Sequence, residues 1–498
     1  MSYSHESADE AGVAGQGPAV LGLRDERRWP LRWVVVTVAC VFGPYLVGGV
    51  RTEQLALYGS ALVAVLLFRR QLRALSAGWL VLMLWAVYAG TAAIGAIFIE
   101  RRLPWPSGSV VAGLDNALLP LATMTVVGIW MRLLPVPVLL RTVSWMVVGG
   151  MALNGALATV TSFVGFDGVP LLPSFWAAEG SGTTVAELAA GSGRYSGVFN
   201  QPAEAGIAYS LAAFCVVYLV RSGIVMPRTV WVAAWALIIV GGLMTLSKIF
   251  IVGGVLISAG LILSARPQRV LLSATAVVTT FVVVVLGAFG WLGTWGASLM
   301  IGWYVDSVRA GDSLAYTLSA GRFGRGESFV APAEPGSTGE DPGIPGEDPG
   351  IPGEDPGIPD EFEQPGGLLE LAQEVLGQHP WFGLGAGGAP VSYDSTWIEA
   401  IIVAGSVGAL CLLGVHVVLI VRWIRLRDGL PREEWRLGGA VVLLAWGSSL
   451  GMPSLTGNRE SSLMWILLSL LIVFRTSGDA IGRTSTEEQG AAPGRRVG

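Results

Sequence analysis

TVWVAAWALIIVGGLMTLSKIFIVGGVLISAGLILSA, residues 229 to 265, is apolar almost throughout, and its length decides the class of fold. As one helix at about 1.5 Å per residue it would measure roughly 55 Å, whereas the hydrocarbon of a bilayer is about 30 Å thick. The stretch therefore reads as two membrane-crossing helices joined by a tight turn. Its only polar cluster, Thr245 to Lys248, locates that turn, and Lys248 is the only lysine in the chain.

Outward from this pair, apolar runs of spanning length recur near 32–49, 54–68, 75–98, 112–133, 137–160, 202–220, 229–246, 249–265, 270–293, 396–421, 437–455 and 461–475. A chain that is 52% hydrophobic and 13% charged is not a soluble globular protein. The expectation is an all-α polytopic membrane protein of about twelve transmembrane helices. Short cytoplasmic loops are enriched in Arg. Arg24, Arg27, Arg28, Arg32, Arg69, Arg70, Arg73, Arg221, Arg228, Arg266, Arg269, the five arginines from Arg422 to Arg436, Arg475 and Arg483 all fall on one side if both termini are cytoplasmic.

The expected organisation follows. Residues 1–30 are a cytoplasmic tail; 31–160 carry helices one to five; 161–201 form an extracytoplasmic loop. Residues 202–293 carry helices six to nine, 294–395 a large extracytoplasmic loop, 396–475 helices ten to twelve, and 476–498 a second cytoplasmic tail. The N-terminal tail precedes a span too long for a signal sequence, so no cleaved signal peptide is expected. Cys40, Cys215 and Cys411 fall within spans and read as packing residues.

Within the large loop, residues 339–359 read GEDPGIPGEDPGIPGEDPGIP, three copies of one unit. Its proline and glycine forbid helix and sheet ladder, and its acids keep it solvated, so 327–366 is expected to be a disordered insertion. A slippage repeat tolerated in a loop accounts for it; calcium or cell-wall association is the functional alternative. Beyond it, Leu368, Leu371, Ala372 and Val375 share one face of a short amphipathic helix, and Glu370, Gln373 and Glu374 the other. Such a helix could lie flat on the outer leaflet. The run HPWFGLGAGG then supplies four glycines in 383–388, which suits a loop whose backbone amides approach something closely.

GRYSGVFNQPAEAG, residues 193–206, places Arg194 outside, against the trend of the other arginines, just ahead of a helix that starts near Pro202. Free amides and a partial positive charge at that helix start, with Arg194, Asn200 and Gln201, could grip an anion such as the phosphate of a lipid carrier. Lys248, in a turn expected to be buried, and Arg322 are two further outward cations. For any one arginine, snorkelling to the headgroups is the simpler reading; three together favour an anion site.

These residues resemble a family. RYSGVFNQPAEAG looks like the R-x-x-G-x-F-x-x-P signature of the O-antigen ligase and Wzy-type polysaccharide polymerase superfamily. LSKIFIVGG (246–254) resembles its polar turn, with Lys248 where an arginine is usual. SAGR (319–322), HPWFGLGAGG (379–388) and DSTWIEAIIVAGSVGAL (394–410) resemble its arginine, glycine loop and helix entry. The resemblance implies a GT-C-like membrane body that uses undecaprenyl-diphosphate-linked oligosaccharide as donor and transfers sugar to a hydroxyl of a glycan acceptor. It implies no metal or other cofactor and no nucleic-acid partner. It implies a place in the bacterial cell membrane among membrane lipids, within an envelope polysaccharide synthesis complex.

On this resemblance Arg194, Lys248 and Arg322 contact the donor diphosphate, supported by Asn200, Gln201, Glu204 and Glu399. The ligase branch has a histidine where this chain has Asp394, which moves the expectation toward a polymerase, with Asp394 as the base or, failing it, His379. His416 and His5 attract no functional reading. Glu204 and Glu399 are partners of the cations or part of the acceptor site. A ligase, a twelve-helix glycan transporter or flippase, and a membrane scaffold remain the alternatives.

Overall fold

The computed structural model describes residues 28–46, 49–73, 76–99, 109–176, 185, 193–223, 227–263, 368–388, 395–457 and 459–475. Of these, 79% are helical and none forms a strand. In chain order the helices are α1 (Arg28–Val41), α2 (Thr52–Arg73), α3 (Trp79–Phe98), α4 (Val110–Leu133), α5 (Val136–Val164), α6 (Pro202–Arg221) and α7 (Arg228–Met244). A π-helical stretch, Phe250–Leu256, runs into α8 (Ile257–Leu263). Then come α9 (Leu368–Gln378), α10 (Thr396–Arg425), α11 (Arg432–Ser448) and α12 (Arg459–Leu468), which ends in a second π-helical stretch, Ser469–Val473. The expected span at 270–293, the GEDPGIP insertion, residues 1–27 and the C-terminal tail lie outside the described residues, and the last three residues of the expected N-terminal tail begin α1.

Five helices, α3, α4, α5, α6 and α10, are long and apolar enough to cross a membrane, as a polytopic membrane protein requires. Leu66, Leu67, Ile97, Phe98, Phe163 and Leu410 stay exposed on helix faces, where lipid would solvate them. In α6, 89% of the apolar stretch is buried, against 39–50% in the other four, which makes α6 the centre of the bundle. Its run of Ala, Gly and Ser lets α5, α7, α11 and α12 pack closely around it.

Helix boundaries depart from expectation where local chemistry overrides hydropathy. The first span, expected over 32–49, is a helix over Arg28–Val41 that ends in a turn before Pro44. The apolar stretch 229–265 does break between Met244 and Phe250, with Leu246 in a left-handed conformation (φ 48°).

The largest correction concerns the tenth span. Along one continuous helix Trp397 and His416 would stand roughly 28 Å apart, yet their ring centroids are 5.0 Å apart. The chain reverses at Gly405 (φ 61°, ψ −159°), so Thr396–Ala404 folds back along Ser406–Arg425. Ser395 caps the short arm by accepting from the Trp397 amide at 3.3 Å. The backbone groups freed by the reversal are taken up by the glycine loop. Leu384 N–H donates to Ile402 O (2.7 Å) and Gly385 N–H to Val403 O (3.0 Å), while Ser406 N–H donates to Pro380 O (2.8 Å) and Val407 N–H to Trp381 O (3.3 Å).

This also answers what the glycine loop approaches. A Cβ on Gly385 would collide with the backbone of Ala96 in α3, so the loop is wedged between helices, and its buried amides serve the fold. The apolar face of α9 is likewise covered by protein: Leu371, Ala372 and Val375 pack with Leu384 and Ile402. Helix α9 therefore docks on α10, not on a leaflet.

At one end of the bundle the arginines are tied down. Arg221 meets Glu433 with its Nε 2.5 Å from Oε2, and Arg475 meets Glu434. Arg422 donates to the carbonyls of Ala77 (2.5 Å), Ile472 (3.1 Å) and Arg475 (2.7 Å). Trp423 and Trp435 stack at 5.2 Å and exchange indole-to-carbonyl hydrogen bonds across the turn before α11. The loops that precede α2 and α6, the turn after α7, the glycine loop and the loop before α12 gather at the opposite end.

Candidate functional site

Asn154 of α5 organises the loop at 193–201. Its Oδ1 accepts from Val198 N–H at 2.8 Å, and its Nδ2 donates to Ser196 O at 3.2 Å and to the Tyr209 hydroxyl at 2.9 Å. Trp176 donates its indole N–H to Gly197 O at 3.0 Å, and the Ser196 hydroxyl donates to Phe199 O at 2.8 Å. The loop is thus held by two buried side chains from outside it, Asn154 and Trp176, and by its own Ser196.

Two contacts then join this loop to the turn after α7. Tyr195 N–H donates to Met244 O at 2.9 Å, and Arg194 Nε donates to Thr245 O at 3.2 Å. Arg194 is half-buried, and burial lowers its pKa from the usual arginine value without removing its charge at neutral pH. Inside the turn, Thr245 and Ser247 are buried and Lys248 is exposed, which corrects the expectation of a buried lysine. Two of the cations expected to meet donor phosphate, Arg194 and Lys248, thereby sit on adjoining segments. Arg322 and Asp394 lie outside the described residues.

Asn200 is buried and donates from Nδ2 to the Tyr45 hydroxyl at 2.8 Å; its Oδ1 has no hydrogen-bond partner among the described residues. Gln201 takes the cap position of α6 (φ −135°, ψ 143°) with no side-chain capping bond, and Pro202 begins the helix. Glu204 is buried in the first turn of α6, within electrostatic reach of Tyr45, Arg459 and Glu460.

Arg459, at the start of α12, is buried beneath this loop. It donates to Gly43 O at 2.8 Å and to Val198 O, and its guanidinium carbon lies 5.4 Å from the Tyr45 ring centroid. Beside it, Arg51 reaches Glu53 Oε1 and Asp115 Oδ2, both at 2.6 Å. Gln54 and Tyr58 complete the shell of Asp115 at 2.6 and 2.8 Å. Burial works against the Arg51 charge, but Glu53 and Asp115 outweigh it and hold its pKa above the usual value. Burial pushes the Tyr45 hydroxyl up, with Arg51, Asn200 and Arg459 pulling it back.

The remaining expected residues are placed elsewhere. Glu399 is buried in the short arm of α10 and accepts a hydrogen bond from Thr456, so its partner among the described residues is a hydroxyl. His379 ends α9, with its amide bonded to Val375 O at 2.7 Å and its carbonyl accepting from Gly383. The structure brings Arg194, Asn200, Gln201 and Glu204 together with the turn of Lys248, and leaves Glu399 and His379 outside that group. His416 is buried and bonds Ser449 Oγ at 3.2 Å beneath the short arm. Among the described residues no group of three side chains could ligate a metal.

Arg51 and Arg459 carried a sequence signal that went unread. Both lie at the end away from the arginine-rich loops, the same exception that singled out Arg194. No protein-family model and no curated protein sequence matches the chain.

Proposed function

We infer that the protein is a membrane glycosyltransferase that polymerises lipid-diphosphate-linked oligosaccharide units at the extracytoplasmic face, or transfers them to a glycan acceptor. One observation carries the reading: the signature-like loop 193–201 and the polar turn 244–248, distant in sequence, are joined by the Arg194–Thr245 and Tyr195–Met244 hydrogen bonds. The two stretches that resemble separate motifs of one transferase superfamily thus share one end of the bundle. Arg194, Lys248 and the positive end of the α6 dipole would stabilise charge that grows on a departing diphosphate. The anomeric C–O bond to phosphate breaks, the acceptor oxygen forms the new glycosidic bond, and the acceptor proton passes to a base, for which Asp394 is the candidate.

The test compares lipid-linked glycans in cells lacking the protein with cells carrying Arg194→Ala at normal membrane abundance. Single units accumulating on the outer face in both strains support a polymerase. Full-length chains left on their carrier support a ligase. Normal polymer from Arg194→Ala ends the donor-site reading. A transporter is the second reading, favoured by the reversal at Gly405, because carriers build their sites around broken helices; units trapped on the inner face would select it.

A further inference from the structure

We propose that Arg459 is a positioning residue of this donor site, holding Asn200 and the loop of Arg194 in register, a role that rests on the transferase reading above. The hydrogen bond that orients Asn200 runs to the Tyr45 hydroxyl, so it needs two backbone segments at a fixed separation. Arg459 grips both segments two residues away from that bond, through Gly43 O ahead of Tyr45 and through Val198 O ahead of Asn200. Its guanidinium also lies over the Tyr45 ring, which fixes the phenol across its face.

The anchor behind this grip is rigid. Every residue of α12 is buried, and the helix packs on α6, whose first turn follows Asn200. A guanidinium can donate along two directions in one plane; an ammonium is a point charge on a flexible stem. Arg459→Lys therefore keeps the charge and removes the two-carbonyl span. Arg51 cannot substitute, because Glu53 and Asp115 already engage it.

The experiment uses the full chain in membranes, with Gln201→Cys as a reporter read by a membrane-impermeant maleimide against the same chain lacking that cysteine. Arg459→Gln and Arg459→Lys should both raise the labelling rate about tenfold, as loss of one charge-assisted hydrogen bond would. Without the reporter, both should lower polymer by a similar factor. Adding Arg459→Gln to Asn200→Ala should cost little more than Asn200→Ala alone, because the two act through one contact.

Arg459→Lys that labels and polymerises like the parent overturns the proposal, and it stays informative if Arg459→Gln fails to accumulate. Faster labelling with unchanged polymer, while Arg194→Ala abolishes polymer, also overturns it. Faster labelling with polymer unchanged in Arg194→Ala as well sinks the transferase reading itself and takes the positioning role with it.

Discussion

A single carboxamide sets the loop at 193–201. Asn154 of α5 satisfies Val198 N–H, Ser196 O and the Tyr209 hydroxyl, all buried. Asn154→Ala should destabilise the protein by about 3 kcal/mol or more, since it orphans three buried groups and each costs about 1–3 kcal/mol. A thermal melt in detergent reads this, and Asn154→Asp, which keeps the acceptor for Val198, should recover part of the loss; equal melting of Asn154→Ala and the parent would refute the account. Residue by residue, the sequence revealed Arg194 because it breaks the pattern of the other arginines. It hid Asn154 and Tyr45, whose importance comes from partners 44 and 155 residues away, a separation no local pattern records.

Helix α10 shows what an apolar run conceals. Hydropathy has no direction, so 396–421 reads as one crossing whether the chain continues or doubles back, and the only local trace of the reversal is a glycine between Ala404 and Ser406. At Gly405 a Cβ would stand 2.5 Å from the Trp381 carbonyl carbon, and φ is 61°, a conformation costly to side chains. Gly405→Ala should lower stability by about 1–3 kcal/mol, the range for an overpacked site. Gly149→Ala is the matched control. That helical glycine in α5 has open space around its Cα, so alanine should be neutral or stabilise by up to about 1 kcal/mol. Melts of the two variants that shift together would mean that α10 runs on unbroken. The same element explains why α9 looked like an interfacial helix. Its amphipathic pattern was legible, but its apolar face is satisfied equally by lipid or by Leu384 and Ile402, and only tertiary structure chooses.

For the whole molecule, the two ends differ in how they handle charge, and this makes the orientation testable apart from any activity. One end ties Arg221, Arg422 and Arg475 to acids and helix-terminal carbonyls. The other holds Arg194, Arg51 and Arg459 within or beneath its loops. Arginine placement in the sequence already separated these ends, because translocating basic loops is costly and most of the arginines gather in the connections at one end. It could not show that the exceptional arginines converge, since convergence depends on how the helices pack. Single cysteines at exposed Thr229 and Asp428 probe the first end, and at exposed Lys248 and Gln378 the second. In intact cells an impermeant thiol reagent should label Lys248→Cys and Gln378→Cys, and should reach Thr229→Cys and Asp428→Cys only after permeabilisation. The native thiols Cys215 and Cys411 are buried and Cys40 is partly so, which keeps the background low. The reverse pattern would put the loop of Arg194 on the cytoplasmic side. A site for lipid-linked chains on the outer leaflet would then be untenable, however well its arginines suit a diphosphate.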